Sequence, residues 1–308
     1  MLTRRTLPLL LATPALAQGH GVRLVIAFPP GGSTDILGRL IAPRMSELLG
    51  ATVTPENRSG ASGAVGAGVV AQAAPDGTTL LLDSGGQAVN PHLMRGLAFD
   101  YVTGFAPVTL LATLPLVLVV RAGLGVTTLP ALLARLRAGP HPAGYGSVGI
   151  GSRTHLAMAA LLRRAGIAGE HIPYRGGADQ IAGLLRGDVA MGFTSIALAA
   201  HLLREGQLVA LGHSLPEHRP SIAEQGFPGF SIGDWLALLA PAGTPATIIT
   251  RIAAAAADAV NQPTLQSRLA ALGLQPAAEG PEALARFLGA ERAAMGALIA
   301  AEGIRLDG

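Results

Sequence analysis

The chain contains no cysteine and no lysine. Without cysteine there is no thiolate nucleophile, no cysteine-ligated zinc site and no disulfide brace in an oxidising compartment. With all 22 basic residues arginine, Schiff-base chemistry, a lysine general base and the Walker phosphate loop are excluded too. Aromatics are scarce, at one Trp, three Tyr and seven Phe. None is interleaved with a basic cluster, so no nucleic-acid partner is expected. Nineteen acids nearly balance the arginines, and the calculated pI is high because guanidinium groups do not titrate.

Uninterrupted apolar runs are missing as well, although half the residues are hydrophobic and the mean hydropathy is +0.46. Tyr101 to Val120 carries no charge, and about 20 apolar residues would span a bilayer. Gly104, Pro107, Pro115 and three threonines interrupt that stretch. Its β-branched clusters, around Val108 and from Val117 to Val120, predict two buried strands instead.

What is present begins with an export signal: Arg4 and Arg5, an apolar stretch from Leu7 to Leu16, then Ala15-Leu16-Ala17 before Gln18. Residues 1–17 are expected to be removed after Ala17, leaving an exported protein. The paired arginines leave the general secretory and twin-arginine routes both open.

Beyond the signal, short β-branched runs alternate with helical patterns, which predicts an α/β protein of doubly wound, mainly parallel sheets. The first run pairs a strand at Arg23 to Phe28 with a helix at Thr34 to Leu49. A second alternation follows the uncharged stretch and ends in a strand at Leu208 to Gly212. Trp235 to Leu239 reads as one more strand, and everything after Pro245 reads as helical. A helical cap needs a sheet to cover, so it is assigned to the first lobe. Lobe 1 is then 18–122 with 233–308, and lobe 2 is 123–232. Two chain crossings, near Val120 to Gly123 and near Gly233 to Trp235, would make a hinge.

The candidate site lies where strands meet helices. Phe28 to Asp35 reads FPPGGSTD. Phe28 and Pro29 end a strand, Gly31 and Gly32 allow a sharp turn, and Ser33, Thr34 or Asp35 can cap the helix. Free first-turn N–H groups and the helix dipole favour an anion there. The device recurs at Tyr145 to His155, YGSVGIGSRTH, with Ser147, Gly149, Gly151 and Ser152. Ser84 and Gly86, and Thr194 and Ser195, mark two further strand ends. Ligands of open parallel sheets gather at such ends. Arg153 sits in a helix first turn, against the dipole, and Arg175 follows a strand; both are candidate clamps, or else pair with carboxylates such as Glu170 or Asp179. His155 is the one histidine near this set. No dinucleotide fingerprint, nucleophile elbow or H-E-x-x-H occurs, so no cofactor and no metal are expected.

Taken in order, IAFPPGGSTDILGRLIA, PENRSGASGAVGAGVVAQAAPDGTTLLL, YGSVGIGSRTHLA, IPYRGGADQIAGLLRGDV and WLALLAPAGTP resemble the substrate-binding receptors of tripartite tricarboxylate transporters, the Bug receptors. The resemblance implies a periplasmic-binding-protein-like fold whose lobes close on a small carboxylate and deliver it to a membrane permease, with no catalysis. It also implies carboxylate contacts from the loops at 28–35 and 146–155. Thr194 stands where that family often has aspartate, which points away from amino acids and towards a dicarboxylate or aromatic carboxylate. Two alternatives remain at this stage. One is a sensory receptor presenting its closed form to a membrane kinase. The other is an α/β enzyme on an anionic substrate, with Asp35 or His155 as base. No large apolar stripe suggests an oligomer, so a monomer is expected.

Overall fold

A computed structural model describes residues 21–139, 143–271 and 273–305; the export signal lies outside them. In chain order, β1 (Val22–Ile26), α1 (Ser33–Leu49), β2 (Val53–Asn57), α2 (Ala64–Ala71), β3 (Thr79–Asp83), α3 (Gly86–Leu93) and β4 (Phe105–Leu114) come first. A second series runs β5 (Leu116–Arg121), α4 (Leu129–Ala138), β6 (Ala143–Ser147), α5 (Arg153–Arg164), β7 (Gly169–Pro173), α6 (Gly177–Arg186), β8 (Met191–Ser195), α7 (Ile196–Arg204) and β9 (Leu208–His213). The rest comprises β10 (Asp234–Pro241), α8 (Ala246–Asn261), α9 (Pro263–Ala271), β11 (Gln275–Glu279) and α10 (Pro281–Glu302).

These strands form two sheets, ordered β11-β4-β10-β3-β1-β2 and β7-β6-β8-β5-β9. Helices cover both faces of each, which is why β3 and β8 are buried along their whole length. Side chains alternate accordingly. In the first lobe Leu24, Ile26, Leu80 and Leu82 pack under α1 and α8, while Val25 and Leu81 pack under α2, α3 and α10. In the second, Leu118 and Val120 face α4 and α5, and Val117 and Val119 face α6 and α7. The uncharged stretch is two strands joined at Pro115, and no helix among the described residues is long and apolar enough to cross a membrane.

Two expectations need correction. The first crossing falls at Pro115, not at Val120 to Gly123, because β5 pairs with β8 and β9 of the second sheet. Proline and the absence of a turn signal around it conceal the change of sheet, since both strands are equally apolar. The segment after Pro245 is also not all helical. β11 pairs antiparallel with the otherwise free edge of β4. Its sequence, QPAAE, has no β-branched residue, so the open edge of β4 and not intrinsic propensity makes it a strand.

The two crossing strands join their sheets antiparallel: β5 against β8, and β10 against β3. Their first residues therefore lie at the carboxyl ends of the parallel strands. The lobes also pack on one another. Leu156 of α5 belongs to a first-lobe core, and Leu298 of α10 touches the cores of both lobes.

Candidate functional site

The carboxyl ends of the parallel strands face a cavity of about 310 Å³ between the lobes. Lobe 1 contributes Phe28, Pro29, Pro30, Gly32, Ser33, Thr34, Ser59, Ser62, Ser84, Gly86, Leu114, Asp234 and Leu236. Lobe 2 contributes Leu116, Val148, Ser152, Arg153, Thr154, Arg175 to Asp179, Thr194, Ser195 and Leu198. Aliphatic and proline side chains thus form much of the wall, with hydroxyls set between them.

Four helices begin at this wall without a side-chain cap: α1 after Gly32, α3 after Gly85, α6 after Gly176 and α7 after Ser195. Their first-turn N–H groups have no intrahelical acceptor, and the dipole makes each end attractive to negative charge. Ser33 Oγ donates to Ser195 Oγ at 3.1 Å and joins two of these ends across the lobes.

The expected cap on α1 is not made by Ser33, Thr34 or Asp35. Asp35 turns away from the cavity. Its carboxylate accepts from Gly31 N–H at 3.0 Å, Arg39 Nε at 2.9 Å and Asn57 Nδ2 at 2.9 Å. Burial opposes its charge, but the bonds from Arg39, Gly31 and Asn57 together win and hold the carboxyl below its usual range. Asp35 and Gly31 therefore shape the loop and do not line the cavity.

In the second lobe the open helices are α6 and α7, whereas the glycine loop read from sequence pointed to α5. Ser152 Oγ accepts from His155 N–H and caps α5. Ser147, Gly149, Gly151 and His155 do not line the cavity. Ser147 Oγ lies 2.6 Å from His171 Nε2 and also donates to the Gly149 carbonyl. His155 Nδ1 accepts from Gly151 N–H at 3.0 Å, and its ring stacks on His171 with centroids 3.8 Å apart. Burial, reinforced by the His171 ring, pushes His155 down to about 3; burial pushes His171 down to about 4. Both imidazoles are neutral props beneath the glycine loop. Neither Asp35 nor His155 presents a base to the cavity.

The cavity floor is a charged knot. Arg153 is 4% exposed; its Nε donates to the Gly233 carbonyl at 2.6 Å and Nη2 pairs with Glu291 Oε2 at 3.0 Å. Trp235 Nε1 donates to the same carboxylate oxygen at 2.8 Å. Asp234 accepts from Gly85 N–H and Trp235 N–H. Burial raises the Asp234 carboxyl, and Arg153 pulls it part of the way back. Gly85 is required here because an added Cβ would lie 2.4 Å from Arg153 Cγ. Arg153 therefore joins lobe 2 to lobe 1 through Nε and Nη2, while its buried Nη1 has no hydrogen-bond partner beside the cavity it lines. Arg175 remains exposed at the cavity mouth with no ion-pair partner among the described residues. Thr194 Oγ1 is buried without a hydrogen-bond partner.

Residues 37–304 match the family model described as "Tripartite tricarboxylate transporter family receptor". The chain belongs to this receptor family. It is 32% identical to Protein BugT of Bordetella pertussis over 292 residues, 91% of this chain and 90% of that protein. Among solved structures, R. palustris Rpa4515 with adipate is similar at TM-score 0.88 and 32% identity, covering 93% of this chain and 98% of that one. MatC from Rhodopseudomonas palustris with bound malate is similar at TM-score 0.84 and 30% identity, covering 91% and 99%. The protein is accordingly a two-lobed solute-binding receptor and not an enzyme.

Sequence reasoning overlooked several wall residues of this receptor. Ser59 and Ser62 follow β2 in a glycine-rich loop, so the strand-end argument applied to Ser84 would have found them. Gly176 to Asp179 had a visible signal, the Gly-Gly after Arg175. Asp234, Leu114 and Leu116 had none, because their place depends on where the chain changes sheets.

Proposed function

We propose that this receptor works in the periplasm, closes on a small carboxylate and delivers it to a membrane permease. The observation that carries the reading is the convergence of uncapped helix N-termini from both lobes, α1 and α3 with α6 and α7, on one cavity. Several hydrogen bonds to a charged carboxylate, each worth about 1.5–3 kcal/mol, less the cost of association and closure, support roughly micromolar affinity. The apolar wall of Phe28, Pro29, Leu116 and Leu198 suits the hydrocarbon body of a dicarboxylate or aromatic carboxylate. Exposed Arg175 suits a second negative group at the mouth. The adipate and malate bound to the related R. palustris receptors support this class.

A thermal-shift screen followed by calorimetry tests the reading. Adipate, malate or benzoate should raise the unfolding temperature in a concentration-dependent way, whereas glucose and neutral amides should not. Tight binding of an amino acid with no heat from any dicarboxylate would overturn the ligand class.

A further inference from the structure

Four consecutive residues, Gly60, Ala61, Ser62 and Gly63, have φ of 140°, 46°, 49° and 93°. Ala61 and Ser62 are not glycine, and left-handed non-glycine residues persist only where surrounding contacts hold them. Those contacts come from both lobes. In the first, Asn90 Nδ2 donates to the Ser62 carbonyl at 3.1 Å. In the second, Ser62 Oγ donates to the Ile150 carbonyl, and a Cβ added at Gly149 would meet Ser62 Oγ at 3.1 Å. Ser62 also lies in the wall that the cavity shares with an outer groove of about 810 Å³. Arg153 lines the cavity but not that groove. Of the interlobe contacts, the Arg153 knot is thus sealed in the floor, the Ser33 to Ser195 bond crosses the cavity wall and the Ser62 to Ile150 bond stands at the rim.

We propose that the turn from Gly60 to Gly63 is a latch, and that the Ser62 to Ile150 bond sets how quickly a bound solute escapes. The bond joins a side chain of one lobe to the main chain of the other, so it must break when the rim parts. It joins protein to protein, so it acts on dwell time more than on selectivity. This proposal rests on the reading of the protein as a receptor that closes on a carboxylate.

Two measurements test it. In stopped-flow release of adipate, Ser62→Ala should raise the dissociation rate about three- to tenfold, with association changed less than about twofold. Unchanged release, or a change confined to association, overturns the latch. The second measurement needs no ligand. The chain has no cysteine of its own, so S62C/G149C can form one disulfide only. Mild oxidation of ligand-free protein should close it, and the oxidised form should exchange adipate at least about tenfold more slowly than the reduced form. Exchange as fast in the oxidised pair as in the reduced one also overturns the latch. If wild-type protein binds neither adipate nor malate while the pair still oxidises, the carboxylate reading fails and the rim contact stands.

Discussion

Asp35 and Asp83 are both buried carboxyls, yet their surroundings drive them in opposite directions. Asp35 has three donors around it and stays charged. Asp35→Ala leaves Gly31 N–H without its acceptor, takes one of two acceptors from Asn57 Nδ2 and removes the ion-pair partner of Arg39, which keeps its bond to Asn57 Oδ1. Urea denaturation should show a loss of about 1–3 kcal/mol, and adipate affinity should fall because the loop carrying Gly32 and Ser33 loses its anchor. Asp83 is fully buried, with Gln87 and Ser84 N–H as donors and Asp234 nearby; burial raises its carboxyl to about 7. Between about pH 4 and pH 7 the folded chain holds a proton that the unfolded chain has released, so this residue makes stability fall as pH rises through that window. Asp83→Asn removes the slope and offers a donor to Gln87 Oε1, which lacks a partner. Thermal unfolding across pH should show the variant more stable by on the order of 2 kcal/mol at about pH 8 and little different near pH 4.

Elements take their form from neighbours as much as from their own residues. β11 exists because β4 has an open edge, and it meets that edge with a register shift between Pro276 and Glu279. Ala278 sits within the shift at φ 49°, a left-handed conformation that disfavours a Cβ. Ala278→Gly should therefore raise stability by about 0.5–1 kcal/mol in chemical denaturation, the strain relieved exceeding the added chain entropy. A loss of stability would mean that the bulge is not strained. At the helix ends the decisive matter is where a cap is missing. α5 has its serine cap and α6 does not, so two similar glycine loops differ in what their backbone can offer an anion.

For the whole molecule, the guanidinium of Arg153 crosses from α5 into the first lobe and satisfies Gly233 and Glu291 there. Arg153→Leu keeps the bulk but leaves Glu291 and Asp234 without their cation. Removing one partner of a buried pair typically costs about 3–5 kcal/mol. Part of that loss should appear as separation of the lobes: small-angle scattering of ligand-free Arg153→Leu should give a larger radius of gyration than wild type, with adipate partly reversing it. Equal radii in the two proteins would show that the floor contact does not hold the lobes together.

Alternation of apolar runs with helical patterns determined the α/β class and the two-lobed plan, because burial on both faces of a parallel sheet leaves a mark on every strand. FPPGGSTD and the second glycine loop were legible for the same reason: proline and glycine act on the backbone locally. Phe28, Pro29, Gly32, Ser33, Thr34, Ser84, Gly86, Ser152, Arg153, Arg175, Thr194 and Ser195 do reach the cavity wall. Only tertiary structure decided that Asp35, Ser147 and His155 support loops, that Arg153 bolts the lobes, and that Asp234 joins the wall. Those outcomes depend on which way a polar side chain turns and on where the chain enters a sheet. Both are settled by partners distant in sequence, such as Asn57 for Asp35, His171 for Ser147 and Glu291 for Arg153, and no local pattern records them.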